Sequence, residues 1–126
     1  MLLRTGVDMV DIGKLASMIE ISADAFLESS WTAQERRYCG DRIDRLAARW
    51  AAKEATMKAL GGGLGAISPL EVEVTAVEGQ MPELALSGNA ASRAAGLGIE
   101  TWSLSLTHED PLAIAFVVGL GGHEHG

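Results

Sequence analysis

The first half of the chain carries apolar residues at the three- and four-residue spacing of helices. Gly13–Ile21 has one such apolar face and predicts a first helix. A Thr-x-x-Glu capping box at residues 32–35 predicts a short helix that runs to about Cys39. Asp41 is the predicted cap of a longer helix, whose apolar residues continue to Leu60 before a run of glycines ends it.

Strands are predicted at the start of the chain and through its second half. Leu3–Val10, Glu71–Thr75 and Thr101–Leu106 alternate polar and apolar residues, as half-buried strands do. Leu112–Val118 is continuously apolar, which is typical of a central strand. The polar segment His108–Pro111 lies between the last two strands, so the pattern predicts a turn there and an antiparallel hairpin.

One more strand and one more helix complete the predicted domain. Met81–Leu86 is predicted as a strand around Pro82, and Ser87 is the predicted cap of an alanine-rich helix that runs to about Ala95. Together the elements predict an α+β fold, in which helices pack on one side of a mostly antiparallel sheet.

Length and composition fit one domain with a buried core. The chain has 126 residues, of which 48% are hydrophobic and 21% charged. We expect the domain to cover residues 1–120, and residues 121–126, with two histidines, to be a flexible tail. The sequence has no apolar run long enough for a membrane span and no signal-peptide pattern at its start. A single cysteine, Cys39, favours a reducing, cytoplasmic setting.

The charges are distributed unevenly, and this narrows the possible partners. A net charge of −7 argues against broad nucleic-acid binding. Within this acidic chain, seven of the ten lysines and arginines lie close together, at Arg36, Arg37, Arg42, Arg45, Arg49, Lys53 and Lys58. Such a basic block indicates a local anion site, although a surface helix with salt bridges explains it equally well.

The long helix presents two sets of charged residues. Residues four apart share a helix face, so Arg45, Arg49 and Lys53 form one basic stripe. Glu54 and Lys58 form a second pair, turned by about 100° from the stripe. A lone glutamate–lysine pair contributes only a few tenths of a kcal/mol to a solvated helix. A function therefore requires that other polar groups converge on this helix.

Two residues elsewhere in the chain are candidates for that convergence. Asp8 lies in an apolar strand, where a carboxylate must be paired, hydrated or bound to a metal, and Asp8 with Glu54 would suit Mg²⁺. Taken alone, Asp8 is better explained as a strand-end turn residue. His108, with a hydroxyl beside it, could bind a phosphate, or it could be an ordinary surface histidine.

The glycine run at residues 61–65 does not fit the standard nucleotide-binding loops. Rossmann and Walker loops precede a helix, so that backbone amides at its N-terminus face phosphate. Here the glycines follow the long helix, and a helix stop explains them. A close approach of the backbone to a ligand remains open.

Four segments, in this order, resemble the holo-acyl-carrier-protein synthase family of 4′-phosphopantetheinyl transferases. They are GVDMVDI at 6–12, FLESSWTAQERRYC at 26–39, ARWAAKEATMKALGGGLG at 48–65, and SLSLTHED at 103–110 with AIAFVV at 113–118. The most specific are the G-x-D near the N-terminus and the A-A-K-E-A-x-x-K-A helix. The resemblance spans nearly the whole chain and implies the 4′-phosphopantetheinyl transferase-like fold.

The resemblance implies an enzyme that moves the phosphopantetheine arm of coenzyme A to a serine of an apo acyl carrier protein, in fatty-acid or polyketide synthesis, and releases 3′,5′-ADP. It implies that Asp8 and Glu54 bind Mg²⁺ and that Lys58 lies near the reacting phosphate, which makes these three the expected catalytic residues. The residues that it implies for coenzyme A binding are Arg49, Lys58, Gly62, Gly63, Gly65, Pro82, Thr107 and His108. Of these, Arg49 and His108 are implied for the phosphates of coenzyme A, the 3′-phosphate in particular.

The family is typically a homotrimer with each site between two subunits, so Arg49 or His108 is expected to act across an interface. This chain departs from the family at two places. Family members often carry basic residues on the helix after the aspartate, whereas here Lys14 is the only cation between Arg4 and Arg36, and three acidic residues, Glu20, Asp24 and Glu28, lie nearby. Thr107 also replaces the usual serine. Two other functions remain as alternatives: a non-catalytic module that binds coenzyme A or a carrier protein, and a small structural subunit.

Overall fold

The computed structural model describes residues 1–62 and 65–122, and within these ranges the chain forms five strands, four α-helices and one short 3-10 helix. In chain order the elements are β1 (Leu2–Asp11), α1 (Ile12–Ser30), α2 (Ala33–Cys39), α3 (Ile43–Leu60), the 3-10 helix (Pro69–Glu71), β2 (Val72–Thr75), β3 (Glu83–Leu86), α4 (Gly88–Leu97), β4 (Thr101–Glu109) and β5 (Leu112–Gly121).

The strands form two antiparallel sheets, and the predicted α+β class is confirmed. The larger sheet has the strand order β1-β5-β4, and the smaller one pairs β2 with β3. In the larger sheet the continuously apolar strand β5 is central, as predicted. Its register places Ala115 between Asp8 and Leu106, and Ala113 between Val10 and His108.

Helix α3 lies across the larger sheet, and its small residues allow a close approach. The buried alanines of α3, among them Ala51, Ala55 and Ala59, pack against Ala115 and Val117 of β5. Strand β1 contributes a glycine here. A Cβ atom on Gly6 would overlap the carbonyl group of Ala55, so only glycine allows β1 to contact α3 at this point.

The first helix is longer than predicted and is broken once. It begins directly after Asp11, whose Oδ1 accepts a hydrogen bond from the Lys14 backbone N–H at 2.9 Å. It continues to Ser30 instead of ending near Ile21. Ala23 has non-helical angles, φ 51° and ψ −139°, so the element is two helices that meet at this residue.

Two predicted details of helix caps and turns are wrong. Arg42, not Asp41, is the N-cap residue of α3, and its side chain makes no cap hydrogen bond. His108 lies within strand β4, which continues to Glu109, so the turn of the hairpin is shorter than predicted. Long strands extend their pairing wherever a register partner exists, and His108 pairs with Ala113.

Two other local predictions hold at the level of the backbone. The capping box is present, because Thr32 Oγ1 accepts from the Glu35 N–H and Glu35 Oε1 accepts from the Thr32 N–H. Ser87 is the N-cap residue of α4, but Glu71 replaces its hydroxyl as acceptor, with Oε2 at 2.7 Å from the Asn89 nitrogen.

Strand β5 is the last element of the described chain. Strand β5 ends at Gly121, one residue beyond the predicted domain, and residues 123–126 of the predicted tail lie outside the described residues. Among the residues that the structure describes, no helix has the length and apolar character needed to cross a membrane.

Candidate active site

Asp8 reaches α3 because of the two-residue period of strand β1. Gly6 faces α3, and residues two apart on a strand share a face, so Asp8 points to the same side of the sheet. Arg4, two residues before Gly6, donates from Nε to the Ala59 carbonyl at 2.8 Å. Strand and helix are therefore held together on both sides of the glycine contact.

Lys58 lies next to Asp8. Its Nζ donates to Asp8 Oδ1 at 3.0 Å and to the Val7 carbonyl at 2.9 Å. Lys58 is more than half exposed and Asp8 is partly buried, so the ion pair lies at the edge of the β1–α3 contact and remains open to solvent on one side.

Glu54 completes this group of charged residues. It precedes Lys58 by one helical turn and is half-buried. Burial raises the pKa of the Glu54 carboxyl, the charge of Asp8 raises it further, and Lys58 opposes both effects. Two carboxylates thus share one lysine. Oxygen ligands with surplus negative charge are what a hard divalent cation such as Mg²⁺ prefers, with water and phosphate oxygens as its other ligands.

Arg49 lies in the first half of α3, away from this group. The residue is 6% exposed, and its guanidinium carbon is 4.9 Å from the centre of the Tyr38 ring. Its Nη1 donates to the Arg45 carbonyl at 3.3 Å, whereas its buried Nε has no hydrogen-bond partner among the described residues. No carboxylate within those residues forms an ion pair with Arg49, so its charge is uncompensated there.

His108 contacts the first turn of α3. Its Nε2 is 3.3 Å from Asp44 Oδ2, and the same oxygen accepts from Arg42 Nη2 at 2.7 Å. The hydrogen bond from Arg42 is the main reason that the pKa of Asp44 falls to about 2. The register places His108 on the α3 side of the sheet, as Asp8 is, but on the strand at the opposite edge.

The site residues therefore form two separate groups within one chain. Asp8, Glu54 and Lys58 meet at the second half of α3. Arg49 and His108 lie at its first half, and five residues of helix turn Arg49 by about 140° from Glu54. The sequence predicted both groups, but it placed them at a common site only through the resemblance to a trimeric family.

The remaining predicted ligand residues lie at other positions. Thr107 pairs with Ile114 and faces the side of the sheet away from α3, so it points opposite to His108. Pro82 lines a groove of about 490 Å³ between β3 and β4, together with Trp102 and Ser103.

The predicted glycines follow α3. Gly62 donates from its N–H to the Met57 carbonyl at 3.1 Å and so closes the last turn of the helix. Gly65 has φ +101°, which favours glycine. Gly63 lies outside the described residues. Arg93 of α4 donates to the carbonyls of Leu60 and Gly61, at 2.6 and 3.1 Å, and holds the start of this segment.

The predicted basic stripe is wrong for Lys53. Its Nζ is fully buried and donates to Glu35 Oε1 at 2.7 Å and to the carbonyls of Val72 and Pro69 at 2.7 and 2.9 Å. Burial lowers the pKa of Lys53, and Glu35 opposes that effect. This lysine joins three elements and leaves no donor for an anion. The sequence pattern predicts only a capping box for Glu35, so it does not indicate this pair.

Sequence reasoning also missed Tyr38 and Asp44. Tyr38 places its ring against two arginines of α3, and Asp44 orients His108. Both lie near the basic block that the sequence singled out. Their charge and ring chemistry were visible there, but their partners are on other elements and follow from the packing.

Comparisons with known proteins agree on one family. A model of the 4′-phosphopantetheinyl transferase superfamily matches residues 4–117. The holo-[acyl-carrier-protein] synthase of Herpetosiphon aurantiacus is 43% identical over an alignment of 127 positions. The alignment covers 95% of this chain and all of that protein.

Two solved structures have the same fold. The Helicobacter pylori holo-[acyl-carrier-protein] synthase in complex with coenzyme A is 29% identical, with a TM-score of 0.83, and the match covers 92% of this chain and 99% of that one. The Chronobacterium ammoniagenes ACPS–CoA complex is 27% identical, with a TM-score of 0.84 and coverage of 98% and 100%.

Proposed function

The chain belongs to the 4′-phosphopantetheinyl transferase superfamily, and from this premise we propose that it is a holo-[acyl-carrier-protein] synthase. It transfers the 4′-phosphopantetheine group of coenzyme A to a serine of an apo acyl carrier protein, in a reaction that depends on Mg²⁺ and releases 3′,5′-ADP. The relatives that support this proposal are holo-[acyl-carrier-protein] synthases, and they match this chain over nearly their whole length. The two matching structures described above hold coenzyme A.

The observation that carries the proposal is the meeting of Asp8, Glu54 and Lys58 from two distant parts of the chain. A serine oxygen must attack the β-phosphorus of a pyrophosphate, and the oxygens around that phosphorus carry negative charge. Such a transfer needs positioning and charge neutralisation rather than covalent catalysis. Lys58 supplies one positive charge beside Asp8. A structural surface pair would not need the second carboxylate of Glu54, which Asp8 disfavours.

Asp8 and Glu54 are the residues that would hold Mg²⁺. Their oxygens are hard ligands, and the repulsion between the two carboxylates is relieved when a cation binds between them. Bound Mg²⁺ would polarise the phosphate oxygens and stabilise charge that develops in the transition state. The serine proton also needs an acceptor, and Glu54 and a nearby water are the two candidates that the site offers.

Coenzyme A binding is proposed for the residues that the resemblance selects. Arg49 contributes a buried guanidinium group without a carboxylate partner in the described chain, and His108 is half exposed beside Asp44. An arginine can bind a phosphate through two parallel hydrogen bonds. Gly62, Gly65 and Pro82 line the path that is proposed for the rest of the cofactor.

A homotrimer is part of the proposal, because one face of the larger sheet exposes large apolar residues. These lie on the side away from α3 and are Leu3, Val7, Met9, Phe116 and Leu120. A contiguous exposed apolar patch marks an interaction surface. Thr107 lies on the same face. Subunits that meet through it could bring Arg49 and His108 of one copy to Asp8 and Glu54 of the next.

Cytoplasmic location and the carrier protein complete the proposal. The single cysteine, Cys39, is free and buried, which suits a reducing compartment. The carrier belongs to fatty-acid or polyketide synthesis. Like charges across an interface slow association, so we propose that the acidic residues of α1, Glu20, Asp24 and Glu28, lie at the edge of the carrier contact.

The test is a transfer assay with mass spectrometry. Apo acyl carrier protein, coenzyme A and Mg²⁺ are incubated with the protein, and the carrier is expected to gain the mass of one phosphopantetheine group. Glu54→Gln and Asp8→Asn keep the size of each side chain, and each is expected to lower the rate at least about 100-fold, as loss of a metal or electrostatic group does. Asp41→Asn, an exposed acid outside the site, is the matched control.

The outcomes distinguish the alternatives. Binding of coenzyme A without transfer to any carrier indicates the non-catalytic module. Absence of Mg²⁺-dependent coenzyme A binding indicates the structural subunit. A folded Glu54→Gln variant with full activity removes Glu54 from the reaction.

A further inference from the structure

Two arginines of α3 contact the ring of one tyrosine. The guanidinium carbons of Arg45 and Arg49 are 4.7 and 4.9 Å from the centre of the Tyr38 ring. They are four residues apart and so share a face of the helix. Like charges at this spacing destabilise a helix, which means that this arrangement needs a compensating negative charge.

Within residues 1–62 and 65–122, the compensation is partial and lies on Arg45 alone. Arg45 Nη2 is 3.2 Å from Glu78 Oε1, on the connection between β2 and β3. Their side chains are 28% and 74% exposed, and an exposed pair of this kind contributes about 1 kcal/mol or less. Arg49 is nearly fully buried, and its Nε is without a partner in the described residues. Among the residues that the structure describes, the cluster therefore has one weakly held counter-ion for two guanidinium groups.

Open space lies beside this cluster. A cleft of about 480 Å³ is bounded by Tyr38, by Gln34 and Arg37 of α2, and by residues 74–77. Glu78 directly follows these residues. Neither arginine of the cluster lines the cleft itself, but Tyr38 both lines it and contacts the two guanidinium groups, so a ligand with two negative charges held there would lie beside the cluster.

We propose that Arg45 is a further coenzyme A-binding residue, which acts with Arg49 on the 3′-phosphate, and that Glu78 is the resident counter-ion that this phosphate displaces. The inference rests on the proposed function and extends it to Arg45, which the sequence placed only in the basic stripe, and to Tyr38 and Glu78, which the sequence did not select. The Tyr38 ring contacts both guanidinium groups and would hold them in place before the ligand arrives, which lowers the ordering cost of binding.

The proposal is testable because substitutions at Arg45 and at Glu78 are expected to change the affinity for coenzyme A in opposite directions. Calorimetry measures the dissociation constants of coenzyme A and of dephospho-coenzyme A, which lacks only the 3′-phosphate. For Arg45→Met, we expect coenzyme A to bind about 10-fold more weakly, as for loss of one charge-assisted hydrogen-bonding group. For Glu78→Gln, we expect about 3-fold tighter binding, because the competing carboxylate is gone. Dephospho-coenzyme A should change less than about 2-fold in both.

The controls match each charge change at a different place. Lys14→Met removes a cation from α1, and Glu20→Gln removes an acid from the same helix; both residues are exposed, and neither lines the cleft. Each should leave the affinity ratio of the two ligands unchanged. Thermal unfolding checks that all variants fold, and Glu78→Gln tests the proposal even if Arg45→Met loses stability.

Three results would overturn the inference. An unchanged coenzyme A affinity in Glu78→Gln means that Glu78 does not compete with the ligand. A loss in Arg45→Met that is equal for both ligands means that Arg45 is structural. If the wild type binds no coenzyme A, the proposed function fails and this inference with it, whereas the first two results leave that function intact.

Discussion

Helix α3 carries two lysine–carboxylate pairs five residues apart, and they differ in almost every physical respect. Lys53 and Glu35 are both 0% exposed and are 2.7 Å apart. Lys58 and Asp8 are 3.0 Å apart, with side chains 56% and 19% exposed. Each pair joins a lysine of α3 to an acidic residue in a distant segment of the chain. Exposure and the hydrogen bonds around each pair distinguish them.

The buried pair is complete. Lys53 Nζ uses three donors, and both oxygens of Glu35 accept bonds, from Lys53 and Thr32 on one side and from the Val74 N–H at 2.9 Å on the other. One positive and one negative charge balance. The buried pair has no hydrogen-bonding group or charge left to bind a ligand. Its effect is therefore to fix α2, α3 and β2 relative to one another.

The exposed pair is incomplete. Asp8 and Glu54 share Lys58, and the raised pKa of Glu54 shows that its carboxylate is in an unfavourable environment. A cluster with one surplus negative charge and an open side can gain energy from a cation. The contrast teaches that surplus charge and incomplete bonding, rather than the presence of an ion pair, mark the part of α3 that can bind a ligand.

The largest effect on stability is expected from the buried pair. Lys53→Met leaves Glu35 as an uncompensated buried charge, which costs roughly 3–5 kcal/mol of unfolding free energy. Urea denaturation followed by circular dichroism measures it. Because a domain of this size has about 5–15 kcal/mol in total, the variant should be near its stability limit.

The double variant Glu35→Gln/Lys53→Met is the control for this prediction. It removes both charges, and the remaining amide can still accept from the Val74 N–H, so it should be more stable than Lys53→Met alone. A Lys53→Met protein as stable as the wild type would contradict the assignment of this pair to the structure.

The second prediction concerns Glu54, where a substitution is expected to raise the stability of the protein instead of lowering it. The pKa of the Glu54 carboxyl in the folded protein is raised above 4.5. At pH values between its unfolded and its folded pKa, the folded state therefore binds more protons than the unfolded state. Stability contributed by protonated Glu54 is therefore present at low pH and is lost as the pH rises through the folded pKa. At pH 7, without metal, Glu54→Gln should be more stable than the wild type, and the difference should disappear below pH 4.5.

Magnesium should reverse this order. Ligand that binds the folded state raises its stability with concentration, so added Mg²⁺ should stabilise the wild type and leave Glu54→Gln unchanged. Calorimetric melting temperatures at several Mg²⁺ concentrations measure this without any assay of transfer. Equal stabilisation of both proteins would place the cation elsewhere.

Sequence patterns predicted most of the backbone because they report which face of an element is apolar. The alternation around Asp8 and the apolar run of β5 gave the larger sheet, and the Thr32 capping box gave α2. The length of α1 was missed because its second part, after Ala23, has few apolar residues at helical spacing. A residue with positive φ is set by its surroundings and leaves no local pattern.

The site was less predictable than the fold because side-chain environments depend on several elements at once. The helix period placed Lys53 and Glu54 on different faces of α3, but it did not indicate which of the two side chains would be buried. That depended on Glu35 and on the carbonyls of Pro69 and Val72. The environment of Arg49 likewise depended on packing between elements. Its guanidinium group is buried against Tyr38 of α2, and its Nε has no partner among the described residues.

The smallest effect on stability is expected for Lys58→Met, and it sharpens the comparison most directly. The substitution is the same as at Lys53, on the same helix, but the lysine is more than half exposed, so the loss should be about 1 kcal/mol or less. Part of that loss comes from repulsion between Asp8 and Glu54 once their shared cation is gone, and salt screens charges near water. In 1 M salt the loss should therefore shrink, whereas the loss in Lys53→Met should remain. Lys58→Arg, which keeps the charge, should recover most of the stability. A loss in Lys58→Met as large as that in Lys53→Met, and insensitive to salt, would mean that both pairs hold the fold together and that openness does not distinguish a binding cluster from a structural one in this helix.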